Sequence, residues 1–289
     1  MKTIPFNKVI ITCSMLLFLS CPNSHELEFV TELPKKLKEN SGIAYYNQES
    51  VWFVEDSGNK NSIYEVDFKG NILKELKVRN SKNVDWEDLT TDNQGQLYIG
   101  DFGNNNNDRQ DLVIYKTPNP NEVTSNNVIN SERIEFWFPE QKEFPPSEAN
   151  LFYDAESLFY YSNHLYIITR NRSKPNTGEA LIYKIPAVKG RHEAKLLGTI
   201  KMPSNKKTSQ ITSADISPDG KTLVLLSRGT LRLITDFSLS DFKAYTITEI
   251  DLGINSQLES VCFKDPKTLL ISDERVKKTG GNLYFYKLK

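Results

Sequence analysis

Glutamates recur at one position of a repeated pattern, and their side chains could together hold a cation. Glu87 lies in "WEDL", Glu156 in "AESL" and Glu259 in "LESV", each at the start of a strand-like segment. Asp101 and Asp273 close the segments that follow the first and the last of these. Converging carboxylates repel one another unless a cation, an arginine or a proton intervenes. A hard cation such as Ca²⁺ suits these oxygen ligands, although the sequence shows no complete ligand spacing.

Arginines offer a second way to neutralise such a cluster. Arg170, Arg228 and Arg275 stand at or just after the ends of other strand-like segments, so they could pair with the acids without any metal. Together with Trp86 and Tyr153 they are also candidate contacts for a small or anionic ligand. The residues alone leave the cation and the ion pairs open as alternatives.

Short segments of strand-forming residues repeat along the chain in groups of four. The first group is rich in Val, Ile, Tyr and Phe, is divided by Asn, Gly, Ser, Asp or Lys, and covers 42–46, 51–55, 62–68 and 72–78. The same order recurs over 86–138, 155–201 and 212–252. A last copy, 258–288, stops after three strands. A repeat of this period indicates stacked antiparallel units.

The missing strand of the last copy indicates how the ring of units closes. The unassigned strand-like run 26–33 lies at the opposite end of the chain and could complete the last unit. A closed ring leaves only short sheet edges. We therefore predict an all-β fold: a single β-propeller over 26–289, with five four-stranded blades. Six blades are the alternative, if a weak blade lies within 119–153.

Antiparallel geometry predicts which residues meet in such a ring. The second strand of a blade returns beside the first, so the start of one and the end of the other share an edge. The candidate acids and arginines should therefore surround one mouth of the central channel. The long loop 140–154 opens on the same face and is a candidate lid. His25, His164 and His192 lie elsewhere, which disfavours a nucleophilic triad.

The N-terminus is typical of an exported lipoprotein. Residues 1–20 read as a signal peptide, because Lys2 and Lys8 accompany the apolar run 9–20, which is short for a membrane span. The sequence before Cys21 resembles a bacterial lipobox, which implies that Cys21 carries lipid and that 21–25 form a tether. We expect an outer-membrane lipoprotein of the bacterial cell envelope, facing the periplasm or the cell surface and bound to the membrane through its anchor.

The net charge and the cysteine content limit which binding partners and which disulfides are expected. Without Lys2 and Lys8 the basic residues fall from 36 to 34 against 37 acids, so the mature net charge of −3 gives no reason to expect nucleic acid. If Cys21 is lipidated, Cys262 has no partner for a disulfide and is expected in the core. We expect a monomer.

Two motifs resemble known propeller families. "DWEDL" (85–89) and "DAESL" (154–158) look like the Asp-x-Glu-Gly-Leu element of the phytase-like "esterase-like activity" propellers. The segments that begin with "SGIAYY" and "LESVCF" are similar to SdiA-regulated periplasmic propellers. The resemblance spans most of 41–288. It implies that acidic residues at the channel mouth bind a metal that polarises a phosphate or lactone oxygen. By resemblance these would be Glu87, Glu156 and Glu259, with Asp101 and Asp273 nearby.

Three functions remain open from the sequence. The first is an envelope-tethered module that binds a small or anionic ligand, or a partner protein, at the channel mouth. The second is a calcium-dependent hydrolase of a phosphoester or lactone. The third is an interaction scaffold whose acids and arginines merely seal the channel. Fold alone does not separate these functions.

Overall fold

The structure is a computed structural model and describes residues 27–46, 49–124, 126–202 and 209–289. The predicted signal peptide, the tether and Cys21 lie outside these residues. Within them, no helix has the length and apolar character needed to cross a membrane.

The described residues form twenty-two strands and three 3₁₀ helices of three residues each. The 3₁₀ helices are Lys35–Leu37, Pro120–Glu122 and Glu148–Asn150. In chain order the strands are β1 (Glu28–Glu32), β2 (Asn40–Tyr45), β3 (Ser50–Glu55), β4 (Ser62–Asp67), β5 (Ile72–Arg79), β6 (Trp86–Thr91), β7 (Leu97–Asp101), β8 (Val113–Thr117), β9 (Val128–Asn130), β10 (Glu132–Trp137), β11 (Asp154–Tyr161), β12 (His164–Arg170), β13 (Glu179–Pro186), β14 (Gly190–Glu193), β15 (Lys195–Lys201), β16 (Ile211–Ile216), β17 (Leu223–Ser227), β18 (Thr230–Thr235), β19 (Thr246–Asp251), β20 (Leu258–Asp265), β21 (Thr268–Asp273) and β22 (Asn282–Lys287).

These strands make five sheets arranged as the blades of a propeller, which confirms the predicted fold class. From the channel outward, the first blade runs β2-β3-β4-β5-β9 and the second runs β6-β7-β8-β10-β14. The third is β11-β12-β13-β15, the fourth β16-β17-β18-β19, and the fifth β20-β21-β22-β1. The six-blade alternative is wrong, because β9 and β10 from 119–153 extend the first two blades.

The N-terminal strand completes the last blade, as the repeat predicts. β1 pairs antiparallel with β22, so Phe29 lies opposite Tyr284 and Thr31 opposite Leu283. Beyond the paired residues, the Leu33 amide donates to the Gly281 carbonyl at 2.7 Å. The two ends of the described chain therefore share one sheet.

Apolar side chains between neighbouring blades hold the ring together. Trp52 and Val54 from the first blade pack in one cluster with Trp86 and Ile99 from the second, and all four are fully buried. Burying a large apolar side chain contributes roughly 1.5–3 kcal/mol. The innermost strands β2, β6, β11, β16 and β20 contact one another around the axis.

Arg275 stabilises the closing sheet, which is the fifth blade, where β1 pairs with β22. Its guanidinium donates to the Leu33 carbonyl at 2.9 Å and pairs with Glu32 at 2.8 Å, and its own backbone amide donates to the Lys38 carbonyl. All three partners belong to β1 or to the segment just after it. The side chain is mostly buried by these contacts.

We expect Arg275→Ala to lower the free energy of unfolding by about 1–3 kcal/mol, because it leaves the buried Leu33 carbonyl without this donor. Urea denaturation followed by circular dichroism measures the change. Lys243→Ala is the control, since it removes an exposed ion pair with Asp241 and should change stability by less than about 0.5 kcal/mol. Equal effects of the two variants would contradict this role of Arg275.

Candidate active site at the channel mouth

A β-bulge at the same level of every innermost strand positions the site. In β6, the pairing with β7 shifts by one residue between Trp86 and Asp88. The other four innermost strands show the same shift against the second strand of their blades. A bulge leaves one extra residue unpaired and re-aims its side chain. The extra residues are Ser41, Glu87, Glu156, Thr212 and Glu259.

The bulged residues divide into two kinds. The hydroxyl of Ser41 donates to the Trp86 carbonyl at 2.8 Å, and that of Thr212 donates to the Leu258 carbonyl at 2.9 Å. Each hydroxyl thus bonds the residue just before the bulge of the next blade. The three glutamates instead project into one cavity of about 110 Å³. Its charged lining residues are Glu39, Asp56, Glu87, Glu156, Glu259, Glu274, Arg170 and Arg172.

Arginines neutralise one side of this cavity. Arg170 donates to Glu156 at 2.9 Å and to Gln210 at 3.1 Å. Arg172 donates to Asp154 at 2.5 Å and to Glu156 at 3.2 Å. Burial raises the pKa of Glu156, and the charge of Arg170 opposes that rise. On this side of the mouth, two acids are therefore paired with two arginines.

On the other side, Asp56 and Glu87 line the cavity and Asp85 lies beside them, and these three carboxylates have no such pairing. Oxygens of Asp56, Asp85 and Glu87 lie within 4.8 Å of one another. Among the residues that the structure describes, none of the three forms an ion pair. Burial, reinforced by the charge of Asp56, raises the pKa of Asp85 to about 6. Burial and the charges of Glu156 and Asp56 hold the pKa of Glu87 well above its usual range. A bound cation would remove this repulsion.

Gly103 keeps the space beside these carboxylates open. A Cβ atom at this position would collide with Oε1 of Glu87 and Oδ2 of Asp85. Its backbone is fixed from both sides, because its amide donates to the Asp85 carbonyl at 3.2 Å and its carbonyl accepts from Arg109 at 2.9 Å. Oxygen ligands around a space that a side chain would fill fit a hard cation.

Glu259 completes the mouth from the fifth blade. Burial raises its pKa to about 7, while a hydrogen bond from Gln257 and the charge of Arg170 oppose the rise. A carboxyl with such a pKa exchanges its proton near neutral pH, which suits a general base. Glu259 lines the same cavity as Glu87 and Arg170.

A larger groove of about 740 Å³ adjoins the mouth and shares Asn105 and Arg172 with it. Pro145, Pro146 and Leu151 from the loop predicted as a lid form one wall. The segment 171–176 also lines the groove, and its Arg172 amide donates to the Leu151 carbonyl of that loop at 2.9 Å. The groove and the small cavity are therefore adjacent parts of one face.

Two of the predicted acids support the structure from behind the cavity. Asp101 is buried, pairs with Arg109 at 3.2 Å and accepts the backbone amide of Asp85 at 3.0 Å. Asp273 is buried in the closing sheet and accepts from the Asn282 amide at 2.7 Å and the Tyr284 hydroxyl at 3.2 Å. Neither lines the cavity.

Most predicted ligand contacts also lie away from it, with Arg170 the exception. Trp86 is fully buried between blades and donates its indole N–H to the Lys82 carbonyl at 2.7 Å. Tyr153 packs against Phe138, Arg275 fastens the closing sheet, and exposed Arg228 is not a lining residue.

Sequence reasoning missed Asp85, Asp154 and Arg172 as members of the site, whereas the strand order already placed Asp56 at the mouth. The Asp-x-Glu spacing in 85–87 and 154–156 was an available signal, because the bulge brings the aspartate and the glutamate of each pair to the same mouth. The sequence gives no comparable signal for Arg172, which lies in the loop after β12.

Comparisons with known proteins support the fold. No protein-family model matches the chain, and no curated protein matches its sequence. Among solved structures, the PQQ-bound aldose sugar dehydrogenase of Streptomyces coelicolor is 9% identical, with a TM-score of 0.55 over 91% of this chain and 98% of that one. A Xanthomonas campestris gluconolactonase is 13% identical, with a TM-score of 0.47 over 86% and 72%. A streptogramin B lyase is 16% identical, with a TM-score of 0.44 over 91% and 87%. At such identities the likeness to the dehydrogenase shows the propeller fold alone.

Proposed function

We propose that this propeller binds a divalent cation at Asp56, Asp85 and Glu87 and uses it to hold a small, oxygen-rich ligand at the channel mouth. The observation that carries the proposal is the uneven pairing of charge. Glu156 and Asp154 have arginine partners, whereas three converging carboxylates across the cavity have no described ion pair. A cation is the remaining way to offset their repulsion without protonating them.

The spacing of the oxygens favours Ca²⁺. Calcium bonds to oxygen at 2.3–2.6 Å, so two oxygens on one ion lie at most about 5 Å apart. The separations within 4.8 Å meet this limit. Calcium also tolerates irregular geometry and keeps positions for further oxygens. A ligand oxygen could take such a position from the side of the cavity.

The groove beside the mouth suggests the shape of the ligand. Its prolines and Leu151 suit an apolar or flat body, and Arg172 lies where the groove meets the carboxylates. A ligand with oxygens at one end could bind the cation there while its body lies along the groove. A volume of about 740 Å³ is within the range of small-molecule sites.

Calcium should raise the thermal unfolding midpoint of the purified protein by mass action.

We expect Glu87→Gln to weaken calcium binding at least tenfold, because it removes one of three anionic ligands. Affinity should rise with pH from 5 to 8, since Asp85, with a pKa of about 6, must lose its proton to bind the ion. Isothermal titration measures both effects.

Glu193→Gln is the matched control, because Glu193 is exposed on β14 and should not affect calcium binding. Gly103→Ala tests the site without changing any charge and should also weaken binding by displacing Glu87 and Asp85. Absence of a calcium shift in the unchanged protein at millimolar calcium would refute the proposal.

A calcium-dependent hydrolase of a lactone or phosphoester is the second candidate, and Glu259 favours it. A cation, when bound, would polarise the carbonyl oxygen of a lactone or a phosphoryl oxygen of a phosphoester. Glu259 would accept the proton of the attacking water, since its pKa of about 7 lets it exchange protons near neutral pH. Arg170, with its Nε buried and without a described acceptor, would face developing negative charge.

For this candidate, γ-butyrolactone and p-nitrophenyl phosphate are suitable probes. We expect Glu259→Gln to lower kcat at least 100-fold, the usual scale for a general base, while calcium affinity stays within about threefold. Turnover that survives Glu259→Gln would exclude it as the base. Calcium binding with no turnover of either probe would favour the binding module alone.

We also propose that the propeller is held at the cell envelope through lipid on Cys21, on the strength of the apolar run 9–20 and the lipobox-like sequence before it. Labelling with radioactive palmitate in a bacterial host should mark the protein, and Cys21→Ala should abolish the label and release the protein from membranes. Label retained on Cys21→Ala would refute this site.

A further inference from the structure

A second cavity lies at the end of the channel opposite the carboxylates. It measures about 600 Å³ and is lined by the far ends of the innermost strands and the turns that follow them. Each of the five blades contributes residues, including Tyr45, Thr91, Tyr161, Asp215 and Lys264. Cavities of this size hold small molecules.

A polar contact across the axis separates this cavity from the channel mouth. Asp88 of the second blade accepts from the Ser213 hydroxyl of the fourth at 3.3 Å and from the Leu158 amide of the third at 2.9 Å. The second and fourth blades are not neighbours in the ring, so this hydrogen bond spans the channel. The two ends are therefore distinct sites.

The far cavity has little net charge, unlike the mouth. The Asp92 carboxylate already accepts from the amides of Gln94 and Gln96 and from the Tyr98 hydroxyl. Asp215 and Lys264 are the other two charged residues of the lining. The lining thus has two acids and one base, whereas the mouth has six acids and two arginines, and this near balance favours a neutral ligand.

Tyrosines from two blades flank the cavity and are held in place. The Tyr46 ring packs against Gly95, and the Tyr161 hydroxyl packs against Gly220, both in turns of the next blade where a Cβ would collide. Tyr160 stacks on Tyr98 at 5.5 Å between ring centroids. Aromatic rings fixed in this way present flat apolar surfaces without further loss of side-chain freedom.

Asp215 is a positioned acceptor at the floor of the cavity. One carboxylate oxygen accepts from the Ile216 amide at 2.8 Å and the other from the Phe263 amide at 2.7 Å. A carboxylate has about four acceptor positions, so two amides leave room for two ligand hydroxyls. The orientation is fixed by backbone from two blades.

We propose that this cavity binds a neutral saccharide. A sugar ring has C–H faces that lie against aromatic rings and adjacent hydroxyls that donate together to one carboxylate. The tyrosines and Asp215 supply these two kinds of contact, and the hydroxyls of Thr90 and Thr91 add further polar positions. Binding at this end is independent of the cation at the mouth.

The test uses three neutral sugars, maltotriose, cellotriose and triacetylchitotriose, with the purified protein, and binding is followed by saturation-transfer NMR and isothermal titration. We expect at least one to bind. Asn93→Trp should weaken that binding at least tenfold, because exposed Asn93 lines the cavity and a large side chain there blocks it. Gln94→Trp is the control: it adds the same side chain to the neighbouring exposed residue, which does not line the cavity, and should change the dissociation constant less than twofold.

Two more variants locate the site. Asp215→Asn should weaken the binding at least fivefold, and Glu87→Gln should leave it unchanged with or without calcium. The proposal is overturned if none of the three sugars binds, or if a sugar binds equally well to the Asn93→Trp protein. Loss of sugar binding in Glu87→Gln would instead place the sugar at the mouth and also overturn the proposal.

Discussion

The bulge in each innermost strand is the constraint on which the site depends. Side chains of a regular strand alternate between the two faces of the sheet, which in a blade pack against the neighbouring blades. One extra residue at the same level of all five strands breaks this alternation and aims a side chain at the axis. Where that residue is Ser41 or Thr212, its hydroxyl bonds the next blade. Where it is Glu87, Glu156 or Glu259, the same geometry brings carboxylates to one mouth.

The residues that surround each glutamate then determine whether its charge at the mouth is paired. Behind Glu156, the end of β12 and the loop after it supply Arg170 and Arg172, so that buried acid has partners. Behind Glu87, the supporting residues are acidic: Asp56 begins the loop after β3, and Asp85 lies two residues before Glu87. Half-buried like charges raise each other's pKa and make the site favour a proton or a cation. The difference between the two sides is thus set by sequence at only a few positions.

The repeat predicted most of the fold but only part of the site. The repeated strand pattern and the missing strand of the last copy were sufficient to predict five blades closed by 26–33. Such patterns are reliable because the register of a half-buried sheet is strongly specified. The predicted strand order also placed Glu87, Glu156 and Glu259 at one mouth of the channel, where the structure has them. Orientation was harder, because a one-residue shift turns a side chain to the other face. Trp86 beside the bulge therefore points into the core, and the open space at Gly103 depends on a loop from another strand that no local pattern reveals.

The residue after each bulge explains why the two ends of the channel are separate cavities. These positions are Gly42, Asp88, Ser157, Ser213 and Ser260, which are small in every blade except the second. Small side chains let the innermost strands approach closely, as at Gly42, where a Cβ would meet the backbone of Asp88 and Leu89. The single larger residue, Asp88, then reaches across to Ser213 and to the third blade. Because this contact lies between the acidic mouth and the tyrosine-lined end, the charge of one need not determine the ligand of the other.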